Sequence, residues 1–343
     1  MDSDTGGQSR RSVLKAAAGL GGAGVLTTLA GCSSVENAIG MGSGGGTGSV
    51  PEDAESVYTI EAGAIVEDEA VTTLADAYLE MRAEVDWYEG PEDYEEALDE
   101  FEDETGLDAT MAGTITAFSE YSDYGVASEY AGMIFTGEWE QDDVVDAYED
   151  NYEADEEEYE GKTIYEPDGE YQPAMAILGD NRYVVGRLDA VEDVIDVEGG
   201  DEDGLDSELQ SAFDSTRDAP IRYAGEGPSW IDTGEVEQNG ESVDTEPLDD
   251  VDFVSGAVYK SGEAIGVETT MHAEDEEVAA DIVDVVEGII AITENDEYTA
   301  EIIKEEVGEV GVERDGSNVV LTYQKDVSEI EDAIEEQSES TRA

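Results

Sequence analysis

Ninety-two of the 343 residues are Asp or Glu, while histidine and cysteine occur once each. That inventory limits the chemistry. A Ser-His-Asp triad would have to use His272, and no G-x-S-x-G elbow supplies its nucleophile. His272 falls between a strand-like and a helix-like stretch, where a surface or helix-start side chain is expected. One histidine and one cysteine cannot build a nitrogen–sulfur zinc site, which takes about three or four such ligands. Gly19-x-Gly21-x-x-Gly24 copies the dinucleotide fingerprint, but no strand precedes it. Gly161-Lys162-Thr163 copies the end of a phosphate loop. Glu156 stands where that loop needs its first glycine, and the preceding "DEEEYE" would repel a phosphate. Paired carboxylates hydrolyse glycosides and clustered ones hold Ca²⁺. Among so many acids no pair stands out, and no D-x-[DN]-x-[DN]-G loop occurs; "GGDEDGLDSE" (199–208) is the nearest cluster. These motifs assign no catalytic residue and no cofactor, and they leave a metal site open.

The aromatic residues offer a second kind of chemistry. Tyrosines number 17 against five phenylalanines. Tyr121, Tyr124 and Tyr130 lie close together, and Trp87-Tyr88 stands near Tyr94. Such rings stack on sugars or line a groove; they also suit strands and half-wet surfaces.

The N-terminus says where such a chain would work. Arg10 and Arg11 open a short basic region, residues 16–30 carry no charge, and "LAGC" ends at Cys32. The uncharged run is shorter than the roughly 20 residues of a membrane-spanning helix. It therefore reads as a signal peptide, 1–31, to be set apart from the fold. Its paired arginines point to the export route taken by proteins that fold before crossing. The order resembles the twin-arginine signal and lipobox of exported lipoproteins, with Val13 where that motif usually has Phe. The resemblance implies cleavage before Cys32 and a lipid on its sulfur, with the twin-arginine translocase as a transient partner. The protein would then sit on the outer face of the cell membrane. Gly- and Ser-rich residues 32–54 form a flexible tether.

Beyond the signal, residues 32–343 keep 11 basic and 90 acidic side chains, a net charge of −79. The apolar residues nevertheless recur with clear periods, which a disordered acidic tail does not show. Composition and signal together resemble the exported lipoproteins of halophilic archaea. A surface this negative attracts monovalent cations diffusely and cannot hold nucleic acid, whose phosphates need a basic footprint.

The periods predict strands at 56–62 and 112–137 and helices at 67–83 and 91–105. Two copies of a strand–strand–helix–strand–strand–helix unit follow, at 112–197 and 251–337. This is an α+β pattern, with largely antiparallel sheets and helices packed on one face. The expected division is a first subdomain (55–200), a connector (201–250), a second subdomain (251–337) and a polar tail (338–343). The sequence favours a lipid-anchored binding or interaction module of unassigned ligand. A transporter's solute-binding lipoprotein and a carboxylate-dependent hydrolase are the alternatives.

The charge makes salt decisive. Like charges four apart on a helix, as in "EDYEEALDEFEDE" (92–104), cost a few tenths of a kcal/mol per pair. A few dozen such pairs match a total stability of about 5–15 kcal/mol. At about 1 M salt the Debye length is near 3 Å and most of that repulsion is gone. Residues 55–337 should therefore be folded in molar KCl and lose cooperative structure in tens of millimolar. Acidification toward the carboxyl range should partly replace salt. A circular dichroism melt across a salt series checks this, and an unchanged melting temperature would refute it.

Overall fold

A computed structural model describes residues 47–83, 88, 90–120, 130–169, 172–227, 235–238, 241–296, 299 and 301–342. Arg10, Arg11 and Cys32 lie outside the described residues, as do Trp87, Tyr121 and Tyr124. The first half runs β1 (Ser56–Glu61), α1 (Ala62–Val66), α2 (Glu69–Ala83), α3 (Tyr94–Thr105), β2 (Ala112–Ser119), β3 (Ala131–Gly137) and α4 (Gln141–Glu149). It continues with β4 (Ala154–Tyr159), β5 (Lys162–Pro167), β6 (Ala174–Gly179), β7 (Arg182–Gly186) and α5 (Leu188–Gly199). Then come α6 (Ser207–Asp214), β8 (Ile221–Glu226), the hairpin β9 (Glu235–Gln238) and β10 (Glu241–Asp244), β11 (Val251–Ser261) and β12 (Ala264–Ala273). The chain closes with α7 (Glu276–Asn295), α8 (Glu301–Gly308), β13 (Gly311–Asp315), β14 (Asn318–Asp326) and α9 (Val327–Arg342).

Twelve strands form one open sheet, ordered β13-β14-β12-β11-β8-β1-β2-β3-β7-β6-β5-β4. All the described pairs are antiparallel, so the βαβ crossovers typical of solute-binding proteins do not occur among them. The class is α+β. On either side of the β1–β8 contact the order repeats: β1-β2-β3-β7-β6 corresponds to β8-β11-β12-β14-β13. Within the units expected at 112–197 and 251–337, β2-β3-β7-β6 and β11-β12-β14-β13 thus run in one order, and β1 or β8 adds a strand to each, whereas β4 and β5 of the first have no counterpart in the second. Their closing helices differ. Helix α5 lies on the sheet through Ala190, Val191, Val194 and Ile195, whereas α9 leaves β14 and packs against α2.

Directly paired residues of an antiparallel sheet point to the same face. On one face Val57, Phe118, Ile134, Ala176, Val184 and Ala224 meet α5 and α6. On the opposite face Ile115, Phe135, Met175 and Tyr183 lie under α1 and α4, and Met271, Val319 and Leu321 lie under α7. Helices thus cover both faces, more fully than the one-sided layering expected. This explains the unbroken apolar runs of β6 and β7, which must be buried on both sides.

Local chemistry sets the boundaries. Asp93 caps α3 by accepting the Glu96 N–H at 2.8 Å, and Gly106 ends that helix in the left-handed region at φ 73°. Asp275 caps α7 by accepting from Glu277 and Val278. The β6–β7 hairpin turns through Asp180 and Asn181 with φ of 51° and 57°, as a two-residue primed turn requires. Strand β4 was not legible, because Asp155, Glu156, Glu157 and Glu158 hide its alternation; all four are exposed on the edge strand.

The segments expected as tether and connector contribute structure. Residues 47–54 are seated on the α5–α6 face: Val50 is fully buried, Pro51 bridges to Gly204, and Leu205 N–H donates to the Val50 carbonyl at 2.7 Å. Arg182 binds Glu198 at 2.7 Å and donates to Ser49 at 2.9 Å. Residues 47–54 therefore belong to the folded part, not to a tether. Residues 201–250 carry α6 and the strand β8 that joins the two halves.

Three aromatic rings lie over the glycine directly opposite on the next strand: Phe118 over Gly132, Tyr223 over Gly256 and Tyr259 over Gly266. A Cβ added at Gly266 would fall 2.3 Å from the Tyr259 ring. Gly266→Ala should cost about 1–3 kcal/mol by overpacking. The penalty should shrink in a Tyr259→Ala background, which a double-mutant cycle measured by denaturant melts would reveal.

Helix α5 is held by tyrosine–carboxylate bonds, Tyr130 to Asp193 at 2.9 Å and Tyr159 to Asp196 at 2.8 Å. Partial burial raises the carboxyl pKa values of Glu192 and Asp193, and neighbouring acids such as Asp189 and Asp196 raise them further. A folded-state pKa above the unfolded one means that the native state holds the proton more tightly. These groups therefore cost stability at neutral pH. They return it as pH falls through the raised values toward the ordinary carboxyl range. Glu192→Gln should raise the melting temperature at pH 7 and reduce the gain on acidification to about pH 5 at constant salt.

Candidate binding cleft

At the sheet centre β1 and β8 pair so that Tyr58 stands directly opposite Tyr223. Tyr58 pairs on its other side with Ala117 of β2, and Tyr223 with Gly256 of β11. The repeated strand order relates these positions, so a tyrosine flanked by a small residue occurs once in each half. The two rings stack with centroids 5.8 Å apart and planes 23° from parallel. The Tyr223 ring crosses Gly256, where a Cβ would lie 2.4 Å from its hydroxyl, and reaches Thr269 of β12 with an O···O distance of 2.7 Å. Small residues thus lay the tyrosines flat.

Alternation and register define the rest of this floor. On the α1/α4/α7 face β1 presents Ser56, Tyr58 and Ile60; β2 presents Ile115, Ala117 and Ser119; β8 presents Ile221, Tyr223 and Gly225. None is charged, in a chain whose residues are 31% charged. The acids at the ends of these strands, Glu61 and Glu226, alternate onto the other face. Ser56 and Ser119 bond through their hydroxyls at 2.9 Å on the rim of the floor.

Tyr58 is 49% exposed, one of two large hydrophobic side chains so open among the described residues. Desolvation nevertheless raises its phenol pKa, and that of Tyr223. The Tyr58 ring is thus open on one side while the protein around its hydroxyl disfavours the phenolate. Carboxylates help to raise Tyr130, Tyr159, Tyr165, Tyr183 and Tyr323. For Tyr58 the cause is desolvation alone; for Tyr223 it is desolvation, opposed by the Thr269 hydrogen bond and helped by the proximity of Tyr58.

The residues singled out from sequence lie elsewhere. Tyr130 is buried against Asp193, and Tyr94 donates to the Val66 carbonyl at 3.4 Å. Tyr88 donates to Pro91 and sits under the Arg82 guanidinium. His272 lies within β12, not at a helix start, with Nε2 2.8 Å from the Ser255 hydroxyl. Burial lowers its pKa, although Asn318 and Asp252 pull the other way. Ser255 is 1% exposed and paired with Ala224 beneath α6, so its hydroxyl is not open to a substrate, while His272 is half-buried. Lys162 donates to the Leu178 carbonyl, as a structural side chain would. In the cluster at 199–208, Asp206 is committed to capping α6 through the Glu208 and Leu209 N–H groups. Among the described residues no group of three His, Cys, Asp or Glu side chains is arranged to hold a metal. The carboxyls with raised pKa values gather around α5 and at Glu226, away from the tyrosine floor.

Tyr58 and Tyr223 were legible only as strand residues in "SVYTIEA" and "IRYAGEG". A signal was present in the uncharged alternation Ser-x-Tyr-x-Ile and Ile-x-Tyr-x-Gly. Among the described residues no helix is long and apolar enough to cross a membrane. No protein-family model matches this chain, and no curated protein matches it by sequence. Crystal form III of TP0453 is similar in outline at 9% identity, over 85% of this chain and 98% of that one, with a TM-score of 0.43. Forms I and IV match at 8% identity with TM-scores of 0.43, over 85% and 88% of this chain and 97% and 99% of theirs.

Proposed function

We propose that this chain is a lipid-anchored, extracytoplasmic binding protein adapted to concentrated salt, with the Tyr58–Tyr223 cleft as its binding surface. The observation that carries the reading is the uncharged aromatic floor at the centre of a protein with a formal charge of −78. Recessed aromatic surface with a few hydroxyls is the usual make-up of a ligand site.

The anchor reading rests on Arg10, Arg11, the short uncharged run and Cys32. It fits the way residues 47–54 are fastened to the α5–α6 face. A chain entering on that face leaves the tyrosine face turned away from its own attachment. The twin-arginine translocase is the partner during export, the membrane the partner afterwards through the Cys32 lipid, and monovalent cations surround the acidic surface diffusely.

Cys32→Ser should give a protein that is exported but released into the medium. Replacing Arg10 and Arg11 together by lysine should leave precursor inside the cell. Fractionation and immunoblotting in the native salt check both outcomes; membrane retention of the Cys32→Ser protein would show that the lipid is not its hold.

A further inference from the structure

We propose that the Tyr58–Tyr223 cleft takes an uncharged sugar ring, an inference that rests on the cleft being the binding surface. Charge argues first. An anionic ligand would find no cation on this floor to pair with. A cationic ligand would find stronger partners among the carboxylates everywhere outside the cleft. The floor of β1, β2 and β8 offers neither attraction, so it suits a neutral ligand. Shape argues next. Two tyrosine rings 23° from parallel on adjacent strands make a platform wider than one ring. The C–H face of a pyranose covers such a surface, burying apolar area on both sides. Hydroxyl chemistry completes the match. The Tyr58 hydroxyl makes no hydrogen bond with a described residue, and the Ser56–Ser119 and Tyr223–Thr269 pairs border the platform on opposite sides. Hydroxyls both donate and accept, so each pair retains capacity for a sugar's hydroxyl groups. A purely apolar ligand would leave that capacity unused.

The test uses the full mature chain in molar KCl, with Tyr58 and Tyr223 ring signals followed by NMR. Maltotriose and cellotriose serve as neutral probes, trigalacturonate as an anionic one and 1-hexanol as an apolar one. Saturable shifts of both rings by a neutral trisaccharide are expected. Its affinity should weaken at least about tenfold in Tyr58→Ala, equivalent to about 1.4 kcal/mol, and less in Tyr58→Phe. Binding should also change little across the salt range in which the protein is folded, because no ion pair is involved. Hexanol or trigalacturonate binding at these rings without the neutral sugars would overturn the sugar assignment and leave the cleft reading standing. If no probe moves either ring while Tyr58→Ala keeps its native spectrum, both fall.

Discussion

Where β1 meets β8, five residue pairs from Ser56↔Gly225 to Ile60↔Ile221 join two half-sheets into one. Each strand also serves its own half, β1 through β2 and β8 through β11. The ladder therefore closes what would be two exposed inner edges, and unpaired strand edges invite association with other chains. It also fixes the cleft. A one-residue slip would turn Tyr58 to the α5–α6 face and bring Val57 to the floor. Register is held on both faces at once, by the stacked tyrosines on one side and by Val57 and Ala224 in the α5–α6 core on the other.

Charge is distributed with equal consequence. The scarce cations are engaged with acids across the fold: Arg182 with Glu198, Lys260 with Asp68, Arg217 with Glu268, and Lys325 with Glu306 and Glu309. Exposed pairs of this kind contribute only about 0–1 kcal/mol each. They pin particular segments, as Lys260 pins the start of α2, without balancing the excess of negative charge. Three buried cores carry the stability instead. The salt dependence expected of the chain is then a property of its surface, and the neutral floor is where that surface is interrupted.

Most of the architecture was written in local patterns. Period-two stretches marked β1, β2, β11, β12 and β14, and the helical stripe of Val278, Ile282, Val285, Val286 and Ile289 marked α7. Polar turns placed the hairpins. Strand β4 escapes because its four consecutive acids suppress alternation, and residues 47–54 read as tether because Val50 and Ala54 are isolated apolar residues beside a Gly-rich stretch. The cleft escaped for a different reason. Tyr58 and Tyr223 are 165 positions apart in sequence, and their meeting depends on a strand within the supposed connector. The tyrosines that cluster in sequence, such as Tyr130 and Tyr94, serve packing and hydrogen bonding. Proximity in the chain was a poor guide to an aromatic site built by pairing distant strands.

The acids of the edge strand β4 bear on how another strand could approach it. In dilute solution, carboxylates at Asp155 through Glu158 would hold off an incoming strand by repulsion alone. In brine that force ends within about 3 Å, less than the roughly 4.8 Å between paired strands. What remains is the water bound to each carboxylate, which an approaching backbone would have to displace without giving an equivalent partner. At the molar salinity expected of such a surface, hydration would be what holds the edge open, a short-range barrier that added salt does not screen away.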